Sequence, residues 1–373
     1  MKRVLVNLSN LHVGGGVQVA VSFLEDLSKI VPLLDNNILY SVFYSTAVKE
    51  NLSLNFCSSV FENITEVNLF QAGFLSKEKR ELFSGFDLCF TLFGPLYFKP
   101  RVKKHICGFA QAWIAYPENL AYQKLSFKNW FFNKIKFKFQ FILFRSYDHL
   151  IVEQVHVKNA LVNLGIASTE IYVVDNCISD IYNHPESWLP IEFNMDLLFN
   201  KITLGFIGRA FSHKNVKILG EVNEILFSKY NMDCNFLFSF TEEEMDSCEF
   251  DCLSNFYSTG PLQVSQCPNF YNLIDALVFP SLLECFSASP IEALKMNTTV
   301  IASDLPFVKD VCSDSAFYFD PLNKEDIAHT IFTVFSDNSL RQSKKKIGHE
   351  IIKSLPTSKD RADSYVSIIN EVI

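Results

Sequence analysis

Short apolar segments alternate with helical patterns in two separate runs, divided by one polar, proline-bearing stretch. This alternation leaves few architectures open. In the first run "RVLVNL" reads as a strand, "SNLHVGGG" as a turn and "VQVAVSFLEDLSKI" as a helix with apolar residues at helical spacing. "ILYSVFYS", "DLCFTLF", "HICGFAQ", "DHLIVEQ" and "IYVVDN" are further strand candidates, several with helical patterns between them. The pattern lapses over 181–200, in "YNHPESWLPIEFN", and then restarts. "KITLGFIG", "CNFLFSF", "DALVFPS" and "TTVIASD" read as strands, "HKNVKILGEVNEILFSKY" and "SPIEALKM" as helices, and three helices close the chain near 324–336, 339–354 and 359–372. Strands alternating with helices predict parallel sheets covered by helices, here two similar α/β halves. The expected domains are 1–183 and 184–355, with a final helix in 356–373 packing back toward the first.

At 373 residues, with 49% hydrophobic residues, the chain has material for two cores. No run of about 18 apolar residues is free of charge, so no membrane-spanning helix is expected. "MKRVLVNLSN" turns polar too early for a secretory signal. Ten cysteines lack paired spacing, and Cys248 and Cys252 have no nearby histidine. Reduced thiols in a cytoplasmic protein fit this better than disulfides or zinc.

Ligands of open parallel sheets bind beyond the carboxyl ends of the strands, so the loops there carry the chemistry. In "GFIGRAFSHKN" a strand ends at Gly208, and Arg209 and Lys214 follow before a helix. Two cations beside a helix start suit a diphosphate, although a solvated basic loop has the same composition. The segment is neither a Walker loop nor a dinucleotide fingerprint, because the glycine spacing of both is absent. In "VFPSLLECFSASPIEAL" the turn holds Glu284 and the helix holds Glu292. The amides of Phe286, Ser287 and Ala288 point toward whatever sits at that helix start. A capping box with Ser289 as N-cap would account for Glu292, but not for Glu284.

The Glu284-x7-Glu292 pair, preceded by "ALVFPS" and followed by "TTVIASDLPFVKDV", resembles the donor signature of retaining glycosyltransferases of family 4. "GRAFSHKN", about 75 residues earlier, resembles that family's diphosphate-gripping segment. "VVDNCI" and "SNLHVGGGVQ" resemble the end of its N-terminal domain and its first glycine loop. The resemblance implies the GT-B fold, two facing Rossmann-like domains with a deep interdomain cleft. It implies that Glu284, Arg209 and Lys214 act on the donor sugar and diphosphate. Gly15, Gly16, Gly208, Phe286, Ser287, Ala288 and Glu292 would bind the donor, with Glu292 on the ribose hydroxyls. Gly14 belongs to the same glycine loop. His12, Gln111 and Asn176 would lie on the acceptor side. Cys285 and Ser287 stand where many members have glycine, and Gln111 stands where a histidine is usual. No Asp-x-Asp triplet occurs, and neither a metal nor another cofactor is expected; the nucleotide-sugar is a substrate.

Charge is unevenly spread. Residues 1–190 carry 18 Lys and Arg against 16 Asp and Glu, although the whole chain has net charge -8. Lys99 to Arg145 holds ten basic residues and a single acid, Glu118. Within it, "KLSFKNWFFNKIKFKFQFILFR" interleaves lysines with aromatics and reads as helix or strand. Such a segment suits adsorption to anionic lipid at the inner face of the plasma membrane. A partly buried helix with a solvated lysine face, or a single-stranded nucleic-acid surface, has the same pattern. The resemblance favours a lipid-linked oligosaccharide acceptor and no nucleic acid. The expected activity is retaining, metal-independent sugar transfer in surface-polysaccharide assembly. An epimerase of the same fold, using His12 or His213, and a non-catalytic nucleotide-sugar-binding subunit are the alternatives.

Overall fold

The structure, a computed structural model, describes residues 1–34, 37–54, 56–70 and 77–373. It divides into two compact units. The first comprises Met1–Pro117, Phe131–Ser179 and Pro356–Ile373, and the second comprises Glu118–Trp130 and Asp180–Leu355. A linear boundary at 183 therefore differs from the observed one at 179, and it misses residues 118–130, whose contacts lie with the second unit.

Seven parallel strands form the sheet of the first unit: β1 (Lys2–Leu8), β2 (Ile38–Tyr44), β3 (Asn63–Glu66), β4 (Leu88–Thr91), β5 (Lys104–Phe109), β6 (His149–Val152) and β7 (Ile171–Val173). Their order is β3-β2-β1-β4-β5-β6-β7. Alternate residues of β1 enter opposite faces. Val4, Val6 and Leu8 pack with Phe23, Leu24 and Leu27 of the helix Gly15–Ile30, whereas Leu5 packs with Phe43 and Phe83. Both faces are covered, which is why the strand reads as an unbroken apolar run. The helix Ser358–Val372 completes the first of these layers: Tyr365 meets Phe23 and Phe90 at ring-centroid distances of 5.2 and 5.3 Å.

In the second unit six parallel strands, β8 (Ile202–Phe206), β9 (Cys234–Phe238), β10 (Phe256–Ser258), β11 (Ala276–Phe279), β12 (Thr299–Ser303) and β13 (Phe317–Phe319), run in the order β10-β9-β8-β11-β12-β13. Phe236, Phe238, Phe250 and Phe256 stack within its core at centroid distances of 4.4 to 5.7 Å. Each such pair adds about 0.5–1.5 kcal/mol beyond its buried area.

Three strands are not foreseen from sequence: β3, β10 and β13. All three lie at sheet edges and span only three or four residues, too few for a periodic signal. The aromatic-basic segment settles as one helix, Phe127–Phe144. Among the described residues, no helix is long and apolar enough to cross a membrane. None of the ten cysteines forms a disulfide.

Candidate functional site

Each sheet reverses its winding at one place. In the second unit this lies between β8 and β11, which pair directly through Ala276–Leu204 and Leu277–Gly205. In open parallel sheets ligands bind beyond the carboxyl ends of the strands at such a reversal. The loop after β8 carries Gly208, Arg209 and Lys214, and the loop after β11 carries Glu284 and leads to the helix holding Glu292.

The two loops meet at an ion pair. Lys214 Nζ lies 2.5 Å from Glu284 Oε1, with side chains only 17% and 12% exposed. Ser281 Oγ donates to the same oxygen at 2.7 Å, and Leu282 N donates to the His213 carbonyl at 2.7 Å. Lys214 also sits 5.5 Å above the Phe279 ring. Burial, helped by the Lys214 charge, holds the His213 imidazole below its ordinary proton affinity, with Glu284 acting the other way.

Arg209 is more exposed and is held from one side. Its Nε donates to Glu244 Oε1 at 2.7 Å, and the same oxygen accepts Ala210 N at 3.0 Å. Burial alone would raise the Glu244 carboxyl; bonds from Arg209, Thr241 and Ala210 outweigh it and hold it below its ordinary range. The backbone turns out of β8 at Gly208, whose φ of 137° excludes most side chains. Gly208 N donates to Ser239 Oγ at 2.9 Å. Asn215, left-handed at φ 55°, ends the short turn Ser212–Lys214 and donates from Nδ2 to the Pro321 carbonyl at 2.7 Å. The expected continuous helix from residue 213 is interrupted there and begins at Ile218.

The second glutamate departs from its expected surroundings. The helix Ala288–Lys295 has Ser287, not Ser289, as N-cap, and no side chain caps it. The capping-box explanation of Glu292 is thereby overturned. Tyr271 Oη instead donates to Glu292 Oε2 at 2.8 Å. Burial raises the Glu292 proton affinity, while the Tyr271 and Tyr182 hydroxyls act against it. Ser287 has extended backbone, φ -133° and ψ 126°, so it needs no glycine. Cys285 is buried and forms no disulfide. Phe286, Ser287 and Ala288 lead into the helix start.

In the first unit the reversal lies between β1 and β4. Gly14 caps the helix after β1 at φ 71°, and Gly15 and Gly16 are its first residues. A Cβ at Gly15 would meet nothing within 4 Å. Asn10 Nδ2 ties this loop to the Phe93 carbonyl beyond β4 at 2.7 Å. His12 Nε2 lies 2.8 Å from the Leu69 carbonyl, and its ring stacks on Phe70. Gln111 follows β5 as the N-cap of the short helix Ala112–Ala115, without a side-chain capping bond.

Asn176, beyond β7, turns inward. Its Nδ2 donates to Glu153 Oε1 at 2.5 Å, and its Oδ1 accepts Cys177 N at 2.8 Å and an Arg361 Nη. Its amide is therefore spent inside the unit.

Sequence reasoning missed Ser281, Glu244 and Tyr271. The Thr241-x-x-Glu244 spacing is a legible cap signal, and the cap is formed. Nothing local marks Tyr271 as a partner of Glu292, 21 positions away. Among the described residues, no three His, Cys, Asp or Glu side chains gather as a metal-binding group.

Residues 196–351 match the family model described as glycosyl transferases group 1. Among curated relatives, the O-antigen chain mannosyltransferase RfbU of Salmonella typhimurium is 25% identical over 40% of this chain and 45% of its own length. The capsular polysaccharide biosynthesis glycosyltransferase CapM of Staphylococcus aureus is 28% identical over 41% of each. The chain thus matches less than half the length of either relative. Anabaena Alr3699/HepE, solved in complex with UDP and glucose, superposes with TM-score 0.67 at 12% identity, covering 100% of both chains. That likeness shows the fold, GT-B, with its two parallel α/β sheets.

Proposed function

Because residues 196–351 belong to the glycosyl transferases group 1 family, we propose that the protein transfers a sugar from a nucleotide-sugar donor to a saccharide acceptor in surface-polysaccharide assembly. The observation that carries this reading is the meeting of Lys214 and Glu284 at the β8–β11 reversal, with Arg209 on the same loop. Both relatives act in surface-polysaccharide synthesis by their names, and the HepE structure holds UDP and glucose.

In this reading Arg209 and Lys214 hold the donor diphosphate, and the amides of Phe286, Ser287 and Ala288 join them at the helix start. Glu284 lies against the transferred sugar, and Glu292 accepts from the ribose hydroxyls. The bond from the anomeric carbon to the diphosphate breaks as the acceptor oxygen bonds to that carbon on the same face. The acceptor proton passes to the departing phosphate, so configuration is retained without a protein base. Fixed cations stabilise the charge gathering on the leaving group, the part a metal plays in other transferases.

The acceptor in this reading is a lipid-linked oligosaccharide, met at the inner membrane face. Phe131, Phe132, Ile135, Phe139 and Ile142 are exposed on the helix Phe127–Phe144, alongside exposed Lys136, Lys138 and Arg145. Apolar residues beside cations, with no acid in the helix, suit an anionic lipid surface.

The test is a nucleotide-sugar panel read by thermal stabilisation, then transfer to a lipid-linked saccharide. A donor held at 100 times its Kd adds about 2.7 kcal/mol to stability. Failure of every donor to stabilise the protein, or release of an epimerised donor without any acceptor, would overturn the reading.

A further inference from the structure

Glu292 is held by a hydroxyl that the reaction itself does not require. Tyr271, at 1% exposure, lies in the helix Cys267–Asn272, and its backbone carbonyl accepts Thr298 Oγ1 at 3.2 Å. Its Oη has two acceptors within reach, Glu292 Oε2 at 2.8 Å and the Ser289 carbonyl at 3.2 Å. A phenol has one proton to give and two lone pairs to offer. With Glu292 ionised, that proton goes to Oε2. With Glu292 protonated, the carboxyl proton goes to the phenol oxygen and the phenol proton turns to Ser289. The other titratable groups facing Glu292 are Cys267, from the same helix as Tyr271, and Tyr182, from the turn Asp180–Asn183. The buried Tyr182 hydroxyl, like that of Tyr271, acts to hold the Glu292 proton affinity down.

We propose that Tyr271 is a positioning residue for the ribose contact: it fixes Oε2 of Glu292 and so presents Oε1 as the oxygen that receives a ribose hydroxyl. This rests on the reading of Glu292 as the ribose carboxylate. Engagement of one carboxylate oxygen removes the freedom of the group to rotate, so the remaining oxygen is aimed before the nucleotide arrives. Tyr271 also favours the ionised carboxylate, against the burial that disfavours it.

The experiment compares UDP, GDP and ADP with their 2′,3′-dideoxy forms by calorimetric titration, on the full chain, from pH 5 to pH 8. Wild type should bind the better ribonucleotide at least about tenfold tighter than its dideoxy form, with affinity falling on the acid side as Glu292 gains a proton. Equal affinities would overturn the ribose reading itself. Tyr271→Phe should cut that discrimination to within about threefold and move the acid limb to higher pH. If wild type discriminates and Tyr271→Phe keeps both its discrimination and its acid midpoint, the role of Tyr271 alone is overturned. Should Tyr271→Phe not fold, fluorotyrosine at 271 retains the ring and strengthens the donor. It should move the acid limb to lower pH, and an unmoved limb would overturn the proposal.

Discussion

Lys214 and Glu284 neutralise one another across two loops, 2.5 Å apart, and Ser281 shares the same carboxylate oxygen. A donor diphosphate arriving at Lys214 therefore competes with a partner already in place. Lys214→Ala and Glu284→Gln should each lower sugar transfer at least about 100-fold, the scale of losing one oriented charge at a reacting centre. Lys214→Ala leaves a mostly buried carboxylate without its cation and should also cost about 3–5 kcal/mol, read from urea midpoints. Glu284→Gln leaves the Lys214 ammonium without its anion but keeps an amide oxygen that can accept from it, and should cost less. Wild-type transfer rates in either variant would sink the assignment.

Glu244 holds Arg209 by Nε alone, leaving the two Nη groups for an anion. Glu244→Ala should therefore raise the Kd for a nucleoside diphosphate about tenfold, because Arg209 and the Ala210 amide lose their common anchor. Loss of the Glu244 half of the capping box, its bond from Thr241 N, should cost up to about 1 kcal/mol, while Thr241 Oγ1 still caps the helix. Calorimetric titration and thermal melts separate the two effects.

Gly14 and Gly15 should respond differently to alanine. At φ 71° Gly14 pays for any side chain, about 1–2 kcal/mol. Gly15, in the first helical turn with open space around its Cβ position, should hold or slightly gain stability as Gly15→Ala. A fall in transfer by Gly15→Ala at unchanged melting temperature would place substrate against this turn. Unchanged kinetics would remove Gly15 from the donor site.

Glu153 makes the first unit pH-sensitive. Burial raises its carboxyl from the ordinary 4.5 to about 7, against the Arg361 charge and the Asn176 bond. The folded protein thus binds this proton more tightly than the unfolded chain does. That contribution is complete below pH about 4.5 and is lost as pH rises to about 7. Glu153→Gln should flatten the slope, gaining up to about 3 kcal/mol relative to wild type between pH 5 and pH 8. Parallel urea titrations at the two pH values measure it.

The exposed Phe and Ile residues of the helix Phe127–Phe144 offer a separate test. Ile135→Glu with Phe139→Glu should abolish co-sedimentation with phosphatidylglycerol vesicles and leave the melting temperature within about 2 °C, since both side chains face solvent. Wild-type protein that ignores such vesicles would remove the membrane from the proposed function.

The strands legible in the sequence were those with enough apolar residues to announce a buried sheet, and both site loops followed from their ends. The edge strands β3, β10 and β13 were too short to show, whereas β7, at the other edge of its sheet, showed within the apolar run of residues 171–174. Lys214 and Glu284 were each readable, but their contact was not, because it depends on the pairing of β8 with β11, strands about 70 residues apart. Asn176 shows a second limit: the resemblance puts it on the acceptor side, but its partners Glu153 and Arg361 could not be read from its neighbours in sequence. Buried polar groups seek partners first, and those partners come from residues as distant as 361. Likewise, Ser289 fitted a capping box in sequence, but the helix starts early enough to make Ser287 its cap.

Tyr365 and Ile369 fill the same core layer as Phe23 and Val6. A chain emerging from the ribosome therefore cannot finish its units in the order in which it begins them. When residue 355 has appeared, the second unit has all its strands and helices, while the first still shows water the face that residues 358–372 will cover. Vectorial synthesis is inverted here: the earliest-made unit matures last, and its open apolar layer is the surface that chaperones would have to shield in the interval.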